Sequence, residues 1–169
     1  MHKYLNDIGI RDDEICVPMT ERKERTKSKR KKIKKQREKY GYDSRETFCL
    51  SLTSAMWLYE HLQMYVDTAG VDLNFHELEI APVIIDEKIW EEKEYGNLYR
   101  YITIGEPQKM KQKKAIDLCS EYLKDYILSE EAQAAEPTPV RMAARESINN
   151  IKGQQAFRIY AELFPFMWR

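Results

Sequence analysis

The clearest hydrophobic pattern in the chain lies between residues 48 and 69. Apolar residues recur there at alternating intervals of four and three positions: Phe48, Leu52, Ala55, Tyr59, Leu62, Val66 and Ala69. This spacing places all of them on one face of an α-helix. Asp43 and Glu46 fit a capping box before the helix, and Gly70 supplies a stop signal after it.

A second apolar stripe runs along the same predicted helix. Leu50, Trp57 and Met64, with Leu58 and Tyr65 beside them, make the helix apolar on more than half of its circumference. A helix of this kind is buried on most sides, so we predict that it is central to the fold. We accordingly expect Trp57, Tyr59 and Tyr65 to belong to the core.

The pattern changes after residue 70. Residues 71–104 contain partly alternating and β-branched runs, which predict two or three short strands, or strands around a short helix near Ile89 and Trp90. Gly105, Glu106 and Pro107 mark a turn after them. The middle of the chain is therefore predicted to hold a small β element.

Two further helices are predicted beyond this turn. The first covers residues 109–128, where five residues share a face: Ile116, Cys119, Leu123, Tyr126 and Ile127. A linker at 132–139 leads to a last helix from about Val140 to Phe164, with an interruption expected at Gly153. The terminal sequence FPFMWR reads either as a buried lid or as an exposed docking peptide. The predicted fold class is α+β, mostly helical.

The charge distribution adds a basic arm to this picture. The chain has a formal net charge of zero, yet residues 22–39 carry +10 and the remainder carries −10. We predict a basic N-terminal extension over residues 1–40 and a single helical α+β domain over 41–169. The candidate phosphate-binding residues are Arg22, Lys23, Arg25, Lys27, Lys29, Arg30, Lys31, Lys32, Lys34, Lys35, Arg37 and Lys39.

Clustered cations of this density bind phosphates and release counterions. No aromatic residue precedes Tyr40 in the arm, so little base-specific or strand-specific recognition is expected from the arm itself. A solvated charge run, contact with an acidic protein surface, nuclear targeting, and folding back onto the chain's own acidic body remain alternatives.

Acidic and aromatic residues cluster in the middle of the chain, around the predicted turn at Gly96-Asn97. Tyr and Trp are favoured anchors in protein interfaces, although an apolar satellite core also accounts for them. The candidate partner-binding residues are Glu87, Trp90, Glu91, Glu92, Glu94, Tyr95 and Tyr99.

No motif favours an enzyme. The chain lacks HExxH, GxSxG and a Gly-rich phosphate loop, and its three cysteines form no CxxC pair. We expect no metal site and no cofactor, a reducing cytoplasmic compartment, and no membrane partner. A small metal-dependent nuclease that uses Asp86 and Lys88 is retained as an alternative, because two-metal hydrolysis needs carboxylates.

The segment DSRETFCLSLT carries a resemblance. Six of its residues match the pattern D-x-R-E-T-W-x-L-D-x-T, namely Asp43, Arg45, Glu46, Thr47, Leu50 and Thr53, whereas Phe48 and Ser51 depart from it. Together with the basic arm, VDLNFHELE and the ending AFRIYAELFPFMW, this pattern is similar to small proteins of unknown function encoded by phages and prophages of Firmicutes.

That resemblance implies a phage protein in a host bacterial cell. Small charge-polarised phage proteins often bind host nucleic-acid machinery. The resulting expectation is a non-enzymatic, anti-CRISPR-like inhibitor of a host nucleoprotein complex, such as a Cas nuclease with its guide RNA. A DNA- or RNA-binding accessory protein of phage replication is the alternative.

Overall fold

The structure is a computed structural model of the 169-residue chain. It describes residues 2–10, 27–40, 50–69, 73–85, 102–135 and 139–167. The chain divides into two compact units, Met1–His61 (unit 1) and Leu62–Arg169 (unit 2).

The described helices and strands follow a simple order along the chain. They are α1 (Lys3–Asp7), α2 (Lys27–Tyr40), α3 (Leu50–Thr68), β1 (Glu77–Ile80), β2 (Val83–Ile85), β3 (Ile102–Ile104), β4 (Gln108–Lys111), α4 (Gln112–Ala135) and α5 (Pro139–Leu163), with a 3₁₀ turn at Phe164–Phe166. This inventory confirms the predicted fold class, α+β and mostly helical. The capping-box residues Asp43 and Glu46 lie outside the described residues.

Helix α3 buries the face that the periodicity predicts. Leu52, Ala55, Tyr59, Leu62 and Ala69 are buried, and Val66 is half-buried. The prediction for the second stripe is wrong, because Leu50, Trp57 and Met64 are exposed. Glu60 shows that residue type alone does not determine which side is inside: its side chain is only 5% exposed.

The buried carboxylate of Glu60 holds α1 within unit 1. The backbone N–H of Leu5 donates to Glu60 Oε2 at 2.8 Å, and that of Tyr4 donates to Oε1 at 3.4 Å. The first N–H groups of a helix have no partner inside it, and a carboxylate there is also favoured by the helix dipole. Leu5 and Ile10 complete this docking as fully buried apolar side chains.

Unit 2 is built on the pairing of α4 with α5. Ile116, Cys119 and Leu123 of α4 are completely buried, as are Ala156 and Ile159 of α5. The thiol of Cys119 donates to the carbonyl oxygen of Ala156 at 3.2 Å, and burial raises the pKa of this thiol to about 12. Cys119 is therefore a core residue rather than a nucleophile.

Two small antiparallel sheets pack on these helices. In one, β1 pairs with β4, and Leu78 stands opposite Met110; in the other, β2 pairs with β3. The hydroxyl of Tyr122 on α4 accepts a hydrogen bond from the N–H of Val83 at 2.8 Å. Burial raises the pKa of Tyr122, although the hydrogen bond from Val83 acts in the opposite direction.

Strand β4 corrects the predicted start of the helix at residue 109. The segment Gln108–Lys111 has no β-branched residue, but its backbone groups pair with those of β1 and Met110 is buried. Strand propensity depends largely on such pairing and packing, which a local pattern does not contain. Residues 105–107, where the sequence predicts a turn, connect β3 to β4 without a regular turn, and the N–H of Gly105 donates to the carbonyl oxygen of Pro82 at 2.8 Å.

Helix α5 also differs from its prediction, since it continues without interruption through Gly153. The glycine serves close helix packing, because a Cβ at this position would lie 2.8 Å from Tyr126 Cγ. Helix α4 continues to Ala135 and α5 begins at Pro139, a residue that suits the first turn of a helix. Only 136–138 of the predicted linker lie outside the described helices.

The described part of the C-terminal sequence, residues 164–167, is not a buried lid. Phe164 and Phe166 are both exposed, and Trp168 lies outside the described residues. The centroid of the Phe166 ring lies 4.7 Å from that of the His76 ring. Phe75, which precedes His76 in the sequence, is 82% exposed. These rings form a small aromatic surface on unit 2.

Candidate nucleic-acid interface

The basic arm is a helix over most of its predicted length. Helix α2 carries nine of the predicted phosphate-binding residues: Lys27, Lys29, Arg30, Lys31, Lys32, Lys34, Lys35, Arg37 and Lys39. The other three, Arg22, Lys23 and Arg25, lie outside the described residues. None of the residues of α2 is buried.

Local forces for and against this helix are finely balanced. Lys, Arg, Gln and Glu are good helix formers, and Arg37 and Lys39 in the last turn suit the negative end of the helix dipole. Lys34 and Glu38 form an i,i+4 pair at 3.8 Å, but both side chains are largely exposed, so the pair contributes little. Repulsion between the other cations opposes the helix. Any bound anion that neutralises them would therefore stabilise it.

Three residues of helix α2 are partly shielded from solvent. Ile33, Gln36 and Arg37 are half-buried and share one arc of the helix, given a rotation of about 100° per residue. Lys31 and Lys35 project from the opposite arc and are exposed. Ile33 is the only apolar side chain in the basic run.

A continuous lysine face results. Lys31, Lys32, Lys35 and Lys39 border an open groove of about 350 Å³ on this face. The groove is completed by Ser28, Gln36 and Tyr40. From Lys31 to Lys39 the face extends about 12 Å along the helix axis. We call these four residues, Lys31, Lys32, Lys35 and Lys39, the lysine face.

An aromatic ring closes one end of the lysine face. The Nζ atom of Lys39 lies 4.7 Å from the ring centroid of Tyr40, within the range of a cation–π contact. Tyr40 is itself 53% exposed. A hydroxyl-bearing ring beside lysines can donate a hydrogen bond to a phosphate or lie against a sugar or base.

The acidic and aromatic partner-binding candidates stand apart from this interface. Glu87, Trp90, Glu91, Glu92, Glu94, Tyr95 and Tyr99 all lie outside the described residues, and so do Asp86 and Lys88 of the nuclease alternative. The described structure therefore brings together the lysines of the arm and leaves the acidic candidates as sequence predictions.

The described ranges contain no group of three or more His, Cys, Asp or Glu side chains that could hold a metal ion. His61 is engaged on its own helix, where its Nδ1–H donates to the carbonyl oxygen of Trp57 at 2.7 Å. His76 lies between the rings of Phe75 and Phe166. Within the same ranges, no helix is long and apolar enough to cross a membrane.

Sequence reasoning assigned one exposed aromatic residue to the core. Trp57 is 56% exposed on α3, whereas Tyr59 is buried and Tyr65 is half-buried. The signal that separates them is the position on the helix. Tyr59 belongs to the buried stripe of alternating four and three spacing, and Trp57 does not.

In comparisons with known proteins, no protein-family model, curated protein or solved structure matches this chain.

Proposed function

We propose that this protein is a non-enzymatic binding protein that contacts the phosphates of a nucleic acid through the lysine face of α2. The observation that carries the proposal is the row of Lys31, Lys32, Lys35 and Lys39 along one groove of a helix in which no residue is buried.

The arrangement fits a polyanion better than it fits a single acidic side chain. Four ammonium groups share about 12 Å of helix, and only Glu38 provides a carboxylate within α2. Duplex DNA carries one negative charge per about 1.7 Å of its axis, so a face of this length meets several phosphates at once. The major groove is about 12 Å wide and admits an α-helix.

The lysine face supplies affinity rather than sequence readout. Lysine binds a phosphate as a point charge, without the bidentate geometry of arginine. Contacts of this kind position a protein on a backbone but do not identify bases. A target of defined sequence or structure would have to be recognised by other residues.

The finer proposal is that the nucleic acid belongs to a host nucleoprotein complex, such as a Cas nuclease with guide RNA, which the protein inhibits. Two features support it: the resemblance of DSRETFCLSLT to phage-encoded proteins, and the opposite charges of residues 22–39 and the remaining chain. A basic helix suits the RNA, and acidic residues elsewhere suit basic protein surface.

The salt dependence of binding tests the lysine face. In the test variant Lys31, Lys32, Lys35 and Lys39 are replaced by glutamine. In the control variant Lys109, Lys111, Lys114 and Lys124, exposed lysines of unit 2, are replaced in the same way, so that the net charge is identical.

The test variant should flatten the slope of log K against log salt by about 3 to 4 on duplex DNA, since each phosphate contact contributes about 0.9. The control variant should keep the wild-type slope. Equal slopes for the test variant and the wild type would refute the lysine face as the phosphate-binding surface.

A second experiment separates a nucleoprotein target from nucleic acid alone. Binding is measured to a reconstituted Cas–guide RNA complex, to the guide RNA and to duplex DNA. Tighter binding to the complex, together with loss of nuclease activity, supports the inhibitor. Equal affinity for free nucleic acid and no inhibition would support an accessory DNA- or RNA-binding protein instead.

A further inference from the structure

The exposed face of α3 contains a pair of stacked rings in the same unit as the lysine face. The rings of Trp57 and His61 lie 4.1 Å apart, between centroids, with an angle of 23° between their planes. Both residues belong to unit 1, as does α2. Residues four apart on a helix lie on one face, and helical side chains lean toward the N-terminus, so His61 leans onto Trp57.

The pair is held in place by the helix itself. His61 Nδ1–H donates to the carbonyl oxygen of Trp57 at 2.7 Å, which fixes the imidazole ring alongside the indole. Trp57 nevertheless remains 56% exposed. A flat ring that is stacked on one face and open to solvent is arranged to accept a further flat ring without having to reorganise first.

Beside this pair, the exposed side of α3 carries neither a carboxylate nor a lysine or arginine. Between Leu50 and Val66, Glu60 is the only acidic residue of α3, and its carboxylate is buried against the N–H groups of α1. No carboxylate on the exposed side of this stretch would therefore repel a phosphate backbone. Leu50, Ser54 and His61 are exposed on the same side as Trp57.

We infer that the Trp57–His61 pair is a stacking platform for an unpaired base, so that this protein binds a single strand more tightly than a duplex of the same sequence. The inference rests on the proposed function, because the lysine face supplies the phosphate contacts. Proteins that bind single strands combine a basic surface for the backbone with aromatic rings on which bases stack. Bases in a duplex are already stacked and paired, and they cannot use such a platform.

The test compares a single strand with a duplex in the full-length protein. The probes are an oligothymidylate of about 16 nucleotides and the same strand paired with oligoadenylate. Trp57→Ala should weaken binding to the single strand by about tenfold, which corresponds to about 1.4 kcal/mol for one lost base stack, and should leave duplex binding unchanged. Trp57→Phe keeps a flat ring and should retain most of the affinity.

Leu50→Ala is the matched control, because it also truncates an exposed apolar side chain of α3. It should bind both probes as the wild type does, and circular dichroism should show that the variants are equally folded. Wild-type affinity of Trp57→Ala for the single strand, or equal losses on both probes, would overturn the stacking platform.

Failure of the platform is distinguishable from failure of the proposed function. If replacing the lysine face by glutamine abolishes binding while Trp57→Ala changes nothing, the lysine face stands and the platform is wrong. If the wild-type protein binds neither probe, the lysine face and the platform are both wrong. If another protein shields Trp57 from solvent and oligothymidylate does not, the platform is also overturned. The exposed face of α3 is then a protein contact.

Discussion

Replacing Gly153 with alanine should destabilise unit 2, although alanine is the better helix former. Helix propensity alone would favour alanine by about 1 kcal/mol in the interior of α5. However, a Cβ at position 153 would lie 2.8 Å from Cγ, 2.9 Å from Cδ2 and 3.2 Å from Cβ of Tyr126 on α4. These atoms are close to the backbone of α4 and cannot move away by a simple change at the tip of a side chain.

The two helices must therefore separate, and neighbouring core contacts such as the Cys119 Sγ–Ala156 carbonyl hydrogen bond would loosen with them. Inserting a methyl group into a well-packed core typically costs about 1–3 kcal/mol. After the gain in propensity is subtracted, we expect a net loss of about 1 kcal/mol in the free energy of unfolding.

Urea denaturation followed by far-UV circular dichroism measures this loss as a lower midpoint at unchanged slope. The decisive control is the same substitution in a Tyr126→Ala background, where Cγ and Cδ2 are absent. There Gly153→Ala should become neutral or stabilising, by less than about 1 kcal/mol, because only the 3.2 Å contact with the Cβ of residue 126 still opposes the propensity gain. A neutral or stabilising effect in the wild-type background would refute the close-packing explanation for Gly153.

Three other predictions concern single buried groups. Glu60→Ala should remove the acceptor for the N–H of Leu5 and lower the free energy of unfolding by about 2 kcal/mol. The Leu5 amide should then exchange its hydrogen faster. An unchanged exchange rate of this amide would contradict the docking of α1. Burial raises the pKa of Cys119 from 9.0 to about 12, so its contribution to stability is fully present below pH 9 and is lost as the pH rises toward 12. Unfolding free energies measured at pH 8, 9 and 10 should consequently fall more steeply for the wild type than for Cys119→Ala, and parallel curves would contradict this. Tyr122→Phe should cost about 1 kcal/mol in urea denaturation, since the N–H of Val83 loses its partner; a neutral result would show that this N–H finds another acceptor.

Much of the fold follows from local patterns. The alternating four and three spacing of α3 is sufficient to predict the helix and its buried face, because every period repeats the same side of the cylinder. The apolar face of α4 is likewise visible in the sequence, and Ile116, Cys119, Leu123 and Ile127 are all buried. For the candidate site, the density of cations in residues 22–39 is visible without any structure.

Other features depend on partners that are distant along the chain. Gln108–Lys111 forms a strand because β1 offers it backbone groups to pair with. Gly153 lies inside a continuous helix because Tyr126 leaves no room for a Cβ, although a glycine at such a position usually suggests a break. In both cases a long-range contact outweighs a local propensity of about 1 kcal/mol or less.

The same division applies to the candidate site. Composition determined that the arm is basic, but only the structure showed that Lys31, Lys32, Lys35 and Lys39 line one groove of a continuous helix. The apolar spacing along α3 also predicted that Trp57 is a core residue. Only packing decided that Glu60 is buried while Trp57 is exposed. The physical reason is that a sequence records how polar each side chain is. Its surroundings depend on what the rest of the chain packs against it, and a buried carboxylate is stable where backbone N–H groups satisfy it.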